Sequence, residues 1–125
     1  KRKHVSIIFS DVVKFSRIVD GAPAVKVMDM LHNLFHRYDM LCLKHGIFKV
    51  ETIGDGCVMA AGLIDEDGIV KNDKNNARRA LAISQDMIKE ARKVRPPRNR
   101  HGERPDFLEI RVGIHEGDIT CGVLG

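Results

Sequence analysis

The hydrophobic pattern switches period several times along the chain. Residues 4–10, HVSIIFS, form a short β-branched run ending at Asp11, which predicts a buried strand. Residues 22–45 carry apolar side chains at helical spacing: Val27, Leu31, Leu34, Tyr38 and Leu41 make one stripe, Met28 and Phe35 widen it, and Gly46 stops the helix. IFKVETI (47–53) alternates as a strand, GDG turns, and CVMAAGL (57–63) returns as a second strand. A second helix is expected over 76–94, with Ala77, Ala80, Leu81, Ser84, Met87, Ile88 and Ala91 inward, ended by Pro96 and Pro97. FLEIRVGIH (107–115) reads as a strand and DITCGVLG (118–125) as one more. No repeat or low-complexity tract interrupts this order.

The resulting β-α-β-β-α-β order, plus an extra C-terminal strand, is that of a ferredoxin-like α+β sandwich. In that topology the first strand lies antiparallel to the third, so its end at Asp11 meets the start of the third, just after Asp55. Strands about 4.8 Å apart can set two carboxylates around divalent ions roughly 3.5–4 Å apart. Each acid also has a plainer reading. Asp11, with Ser10, could cap the short segment that follows the strand, and Asp55 between two glycines could be a turn residue. Glu51, four residues before Asp55, lies about 13 Å from it along a strand, too far to share one metal.

At 125 residues the chain fits one domain, 1–125. Its share of charged residues, 30%, and of hydrophobic residues, 43%, is that of an ordinary soluble globule, with no spanning helix or signal peptide evident. It opens on Lys1 and closes on an apolar stretch, which suggests a piece of a longer protein. The net charge of +4 comes from one segment, RKVRPPRNRHGER (92–104), which holds six basic groups and one acid. A solvated, proline-stiffened connection is preferred there over a nucleic-acid patch, because no aromatic is interleaved. Cys42, Cys57 and Cys121 form no CxxC pair, which argues against a disulfide framework or a structural zinc and for reduced thiols in a cytoplasmic setting.

FSDVVKFS (9–16), KVETIGDG (49–56) and IRVGIHEGDITCGVLG (110–125), in this order and spacing, resemble the class III nucleotidyl cyclases, and guanylate cyclase catalytic domains in particular. The likeness covers essentially the whole chain. It implies a lyase that turns GTP into 3′,5′-cyclic GMP and pyrophosphate by two-metal catalysis in cyclic-nucleotide signalling, with ATP to cyclic AMP also open. On this resemblance Asp11 and Asp55, with the backbone carbonyl of Val12, hold two Mg²⁺ or Mn²⁺ ions, since hard cations take oxygen ligands. Backbone N–H groups of Phe15 and Ser16 cradle the phosphates. Glu51 reads the purine, accepting from guanine N1–H and the exocyclic amine; adenylate cyclases of the family typically carry lysine there. Two subunits form the sites in the family, so a homodimer is implied, in which one hairpin gives Asp55 to one site and Glu51 to the other. Neither nucleic acid nor direct membrane contact is expected of this segment, although the parent chain could be membrane-anchored.

The sequence also departs from the family. Lys14 stands where many members have glycine, and Glu116 and Asp118 make an HEGD turn more acidic than usual. His115 reads as structural, and Lys49 as surface charge. Family members continue past the equivalent of Gly125 with a second base-reading residue, an Asn for the ribose and an Arg for the transition state. The 125 residues alone are therefore expected not to turn over nucleotide at a useful rate. The competing reading is a catalytically degenerate cyclase-like module for dimerisation and regulation. The intact Asp11, Asp55 and Glu51 count against it. An RNA-binding sheet lacks strand aromatics, and a diguanylate cyclase would need a GG(D/E)EF run.

Overall fold

The structure, a computed structural model, describes residues 2–62 and 75–119. Seven elements follow in chain order: β1 (Arg2–Val12), α1 (Phe15–Val19), α2 (Ala24–His45), β2 (Phe48–Ile53), β3 (Gly56–Ala61), α3 (Asn76–Ala91) and β4 (Ile110–Ile119). The strands form one antiparallel sheet in the order β2-β3-β1-β4, so β1 lies between β3 and β4 as the ferredoxin-like order requires.

Strand alternation sends Ile8 and Val12 of β1, with Cys57 and Met59 of β3, to one face of the sheet, where they join the core. Leu34, Tyr38 and Leu41 of α2 and Ile83 and Met87 of α3 close over them. Full burial of side chains such as Ile8, Leu34 and Ile83 contributes about 1.5–3 kcal/mol each. Gly46 ends α2 in the left-handed region, at φ 65°, and its N–H bonds the Cys42 carbonyl. Cys42 and Cys57 are free and buried, and burial pushes their thiols up to about 11 and about 12.

Three expectations are corrected. In α3 the buried face runs through Ala80, Ile83, Ser84, Met87 and Ala91, while Ala77, Leu81 and Ile88 are exposed. Ala80, Ser84, Met87 and Ala91 thus face inward as expected, and the error lies at one flank of that stripe, where Ile83 is buried in place of Leu81 and Ile88. In α2 Met28 is exposed, and Met30 is buried instead. β4 runs through the expected HEGD turn, because the start of β1 supplies ladder partners: Gly117 faces Val5 and Ile119 faces Arg2. Asp118 and Ile119 thus belong to β4; the rest of the expected extra strand, and Cys121, lie outside the described residues.

The segment after α3 is less solvated than expected. Pro96, Pro97, Val94 and Leu108 are buried. Asn99 organises the turn there, its Oδ1 accepting from the N–H groups of His101 and Glu103. Among the described residues no helix is long and apolar enough to cross a membrane.

Candidate functional site

β1 and β3 pair up to Ser10↔Cys57, so the next residues of β1 lie beside the turn that joins β2 to β3. Ile53 faces Gly56, which leaves Gly54 and Asp55 as a two-residue hairpin loop. Only Gly54 has positive φ, 57°, a conformation glycine adopts without steric cost and one that II′ hairpin turns require at their first loop position. This turn directs Asp55 toward β1, where its Oδ2 accepts a hydrogen bond from the backbone N–H of Val12 at 3.0 Å. The sheet thus brings Asp55 against the residue that follows Asp11.

Asp11 is engaged by a residue the sequence reading passed over. Arg111 of β4 stands directly opposite it and donates Nε to Oδ1 at 2.9 Å and Nη2 to Oδ2 at 3.0 Å. The hydrogen bond and charge of Asp11 raise the Arg111 guanidinium above its ordinary value, and the charge of Asp55 acts in the same direction. Both acids therefore act on one cation. The signal was available in the topology: pairing the first strand with the last puts the arginine of IRVGIH across from the aspartate of FSD.

Among the described residues, no three His, Cys, Asp or Glu side chains gather into a cluster. The donors at this corner are the carboxylates of Asp11 and Asp55, hard oxygens of the type Mg²⁺ and Mn²⁺ take. The Val12 bond engages Oδ2 of Asp55, whereas Arg111 engages both oxygens of Asp11. The donor chemistry fits a divalent cation, with Arg111 as its competitor at Asp11.

Lys14 is the one non-glycine residue with positive φ among the described residues, at φ 55° and ψ 36°. Its carbonyl accepts from the N–H groups of Arg17 and Ile18 and so starts α1. Phe15 and Ser16 are the first two residues of that helix, whose opening N–H groups have no intrahelical acceptor. Positive φ is a conformation that glycine adopts at far lower cost than lysine, which gives a physical reason for the glycine that the resemblance leads one to expect here.

Glu51 lies on β2, exposed, opposite Val58. The register shifts between Lys49 and Glu51, with Val50 as the extra residue. Without that bulge, Glu51 would face Cys57, whose side chain is in the core. With it, Glu51 shares the open face with Val58 and Phe9, which itself pairs with Val58 and is 51% exposed. Lys49 has a structural partner, an ion pair with Asp39 that ties β2 to α2.

The family model for the adenylate and guanylate cyclase catalytic domain matches residues 1–125. The chain is 34% identical over 125 residues to the guanylate cyclase soluble subunit alpha-1 of Canis lupus familiaris, covering all of this chain (100%) and 16% of that subunit. It matches the guanylate cyclase domain of RhGC from Catenaria anguillulae in complex with GTP with a TM-score of 0.78 and 30% identity, over 98% of this chain and 61% of that one. A non-canonical dimeric guanylyl cyclase domain of the RhoGC fusion protein from Blastocladiella emersonii gives a TM-score of 0.78 and 30% identity, over 99% of this chain and 62% of that one. The chain thus spans about three fifths of these solved domains and a small part of the curated relative. The family model's match over the whole chain and the fold shared with these solved domains show it: the chain belongs to the adenylate and guanylate cyclase catalytic domain family.

Proposed function

We propose that the domain this chain belongs to converts GTP into 3′,5′-cyclic GMP and pyrophosphate, with ATP to cyclic AMP as the alternative substrate of the same chemistry. The ribose 3′-oxygen forms a bond to the α-phosphorus, the bond from that phosphorus to the bridging oxygen of the β-phosphate breaks, and the hydroxyl proton is released. Asp11 and Asp55, with the carbonyl of Val12, would hold two Mg²⁺ or Mn²⁺ ions. Such ions, when bound, make the hydroxyl more acidic and offset phosphate charge. The N–H groups of Phe15 and Ser16 hold the β- and γ-phosphates. Glu51 accepts from the guanine N1–H and exocyclic amine, while Phe9 and Val58 on the same face offer apolar surface to the purine.

The observation that carries this reading is the hydrogen bond from Val12 N–H to Asp55 Oδ2, which joins the hairpin to the end of β1 beside Asp11. The exposed Phe9 and Phe48 support the homodimer, since both lie on the face of the sheet turned away from α2 and α3. In that dimer Asp55 serves the site of its own chain, and Glu51 reaches the base in the other. The cytoplasm, where nucleoside triphosphates are supplied, is the setting this substrate requires. The 125 residues alone are inactive on this reading, because partners expected from the resemblance are not among them.

The test is product analysis of the complete catalytic domain given GTP or ATP with Mn²⁺. Cyclic GMP from GTP is expected, and both Asp11→Asn and Asp55→Asn should abolish it. Silence with both nucleotides would overturn the enzymatic reading in favour of a dimerisation and regulatory module.

A further inference from the structure

On the segment between α3 and β4 the chain builds a polar concavity. It has a volume of about 420 Å³, within the range of small-ligand sites, and its walls carry Arg92, Lys93, Arg95, Arg98 and Arg104 against one acid, Asp106. The lining therefore has a net charge of +4. Surface arginines are usually matched by nearby acids, and much of this segment follows that habit. Lys93 pairs with Glu90, Arg100 with Asp20 and Arg17 with Glu103. Arg92, Arg95 and Arg104 have no ion pair among the described residues.

The loop that carries these cations is held in place. Pro96 and Pro97 are buried, with φ fixed by their rings. Arg98 donates Nη1 to the Gly102 carbonyl at 3.0 Å, Asn99 N–H donates to the Glu103 carbonyl at 3.0 Å, and Arg100 N–H reaches the Asp20 carbonyl. Nε of Arg104 is buried and has no hydrogen-bond partner. Desolvation, with the like charges of Arg95 and Arg98, pushes the Arg104 guanidinium below its ordinary value. Cations crowded together with an orphaned donor destabilise the protein on their own, and an anion relieves both costs.

We propose that this cavity binds a compact, phosphate-dense anion, of the class of pyrophosphate and tripolyphosphate. Guanidinium forks match phosphate oxygens in pairs, and a lining of this charge is balanced by several adjacent phosphates, whereas a single carboxylate would leave it strongly positive. A concave wall favours a small anion over a membrane surface. Among the described residues no aromatic side chain lines the cavity to stack a nucleic-acid base, and one face of the nearby Phe107 ring is taken by the Arg92 guanidinium, 5.1 Å from its centroid. The cavity is separate from the Asp11–Asp55 corner. It shares Arg104 and Pro105 with a neighbouring cavity of about 410 Å³ that reaches Lys14, so its occupant must be located as well as detected.

The experiment is a titration of this chain with tripolyphosphate in buffer containing a chelator, followed by calorimetry and by amide NMR. Saturable binding is expected, with shifts at Arg95, Arg98 and Arg104. Arg95→Gln with Arg98→Gln should weaken it about tenfold or more, while Arg78→Gln, on the exposed side of α3, leaves it unchanged. The spectrum of each variant reports that it is folded. Shifts confined to Phe15 and Ser16, equal weakening by Arg78→Gln, or tighter binding of a single-stranded oligonucleotide of the same charge would each overturn the proposal.

Discussion

Arg111 and Asp11 face each other across β4 and β1, joined by two hydrogen bonds of 2.9 and 3.0 Å that engage both carboxylate oxygens. A divalent cation at Asp11 must share its oxygens with these bonds or displace them, and in either case sits near the charge of Arg111. The chain is therefore expected to bind Mn²⁺ weakly. Arg111→Gln should bind it several-fold more tightly, read from the loss of the free-Mn²⁺ EPR signal. Unchanged or weaker binding by that variant would show that the pair does not compete with metal.

Lys14 holds a left-handed conformation that costs a side-chain-bearing residue roughly 1–2 kcal/mol and glycine almost nothing. Lys14→Gly should therefore unfold at a higher denaturant concentration than Lys14→Ala, by about 1 kcal/mol. Equal stability of the two variants would mean that the strain is relieved by local rearrangement.

The buried face of α3 gives a contrast between two leucine-sized side chains. Ile83→Ala removes a fully buried side chain and should cost about 2–5 kcal/mol. Leu81→Ala, at a position 55% exposed, should stay within about 0.5 kcal/mol of wild type. Chemical denaturation measures both, and the reverse ranking would put Leu81 rather than Ile83 in the buried face.

Two ion-paired acids on α3 set an acid limb. The His45 side chain at 2.8 Å, aided by Lys44, holds the Asp86 carboxyl below its ordinary value; Lys93, with Arg37, does the same for Glu90. A carboxyl depressed in the folded state contributes stability above its unfolded pKa and loses it as pH falls through the folded value. Thermal melts should therefore show Asp86→Asn and Glu90→Gln lowering Tm near neutral pH and flattening its fall below about pH 4. A fall as steep as wild type in both variants would contradict this.

Much of the fold was legible because period and punctuation agreed: the run ending at Asp11, the stop at Gly46 and the GDG hairpin all stand where the pattern put them. The pairing of β1 with β3 followed from element order alone, and with it the approach of Asp55 to the end of β1. What escaped the reading depends on long-range pairing. Arg111 meets Asp11 through strands a hundred residues apart, Glu51 owes its face to one extra residue at Val50, and the HEGD run stays extended only because β1 starts early enough to pair with it. Local propensity contains none of these partners. The inward placement of Leu81 and Ile88 failed for a simpler reason: both flank the buried stripe of α3, and tertiary contact, not side-chain size, decides which flank is covered.

The proposed function has one hairpin give Asp55 to metal binding and Glu51 to base selection. Its most direct measurement compares initial rates of cyclic GMP and cyclic AMP formation by the complete catalytic domain, wild type against Glu51→Lys, with GTP and ATP in Mn²⁺. Wild type is expected to favour GTP, and Glu51→Lys to lower the GTP-to-ATP rate ratio at least tenfold, as follows when a carboxylate that pairs with guanine is replaced by a cation. An unchanged ratio in an active variant would contradict it.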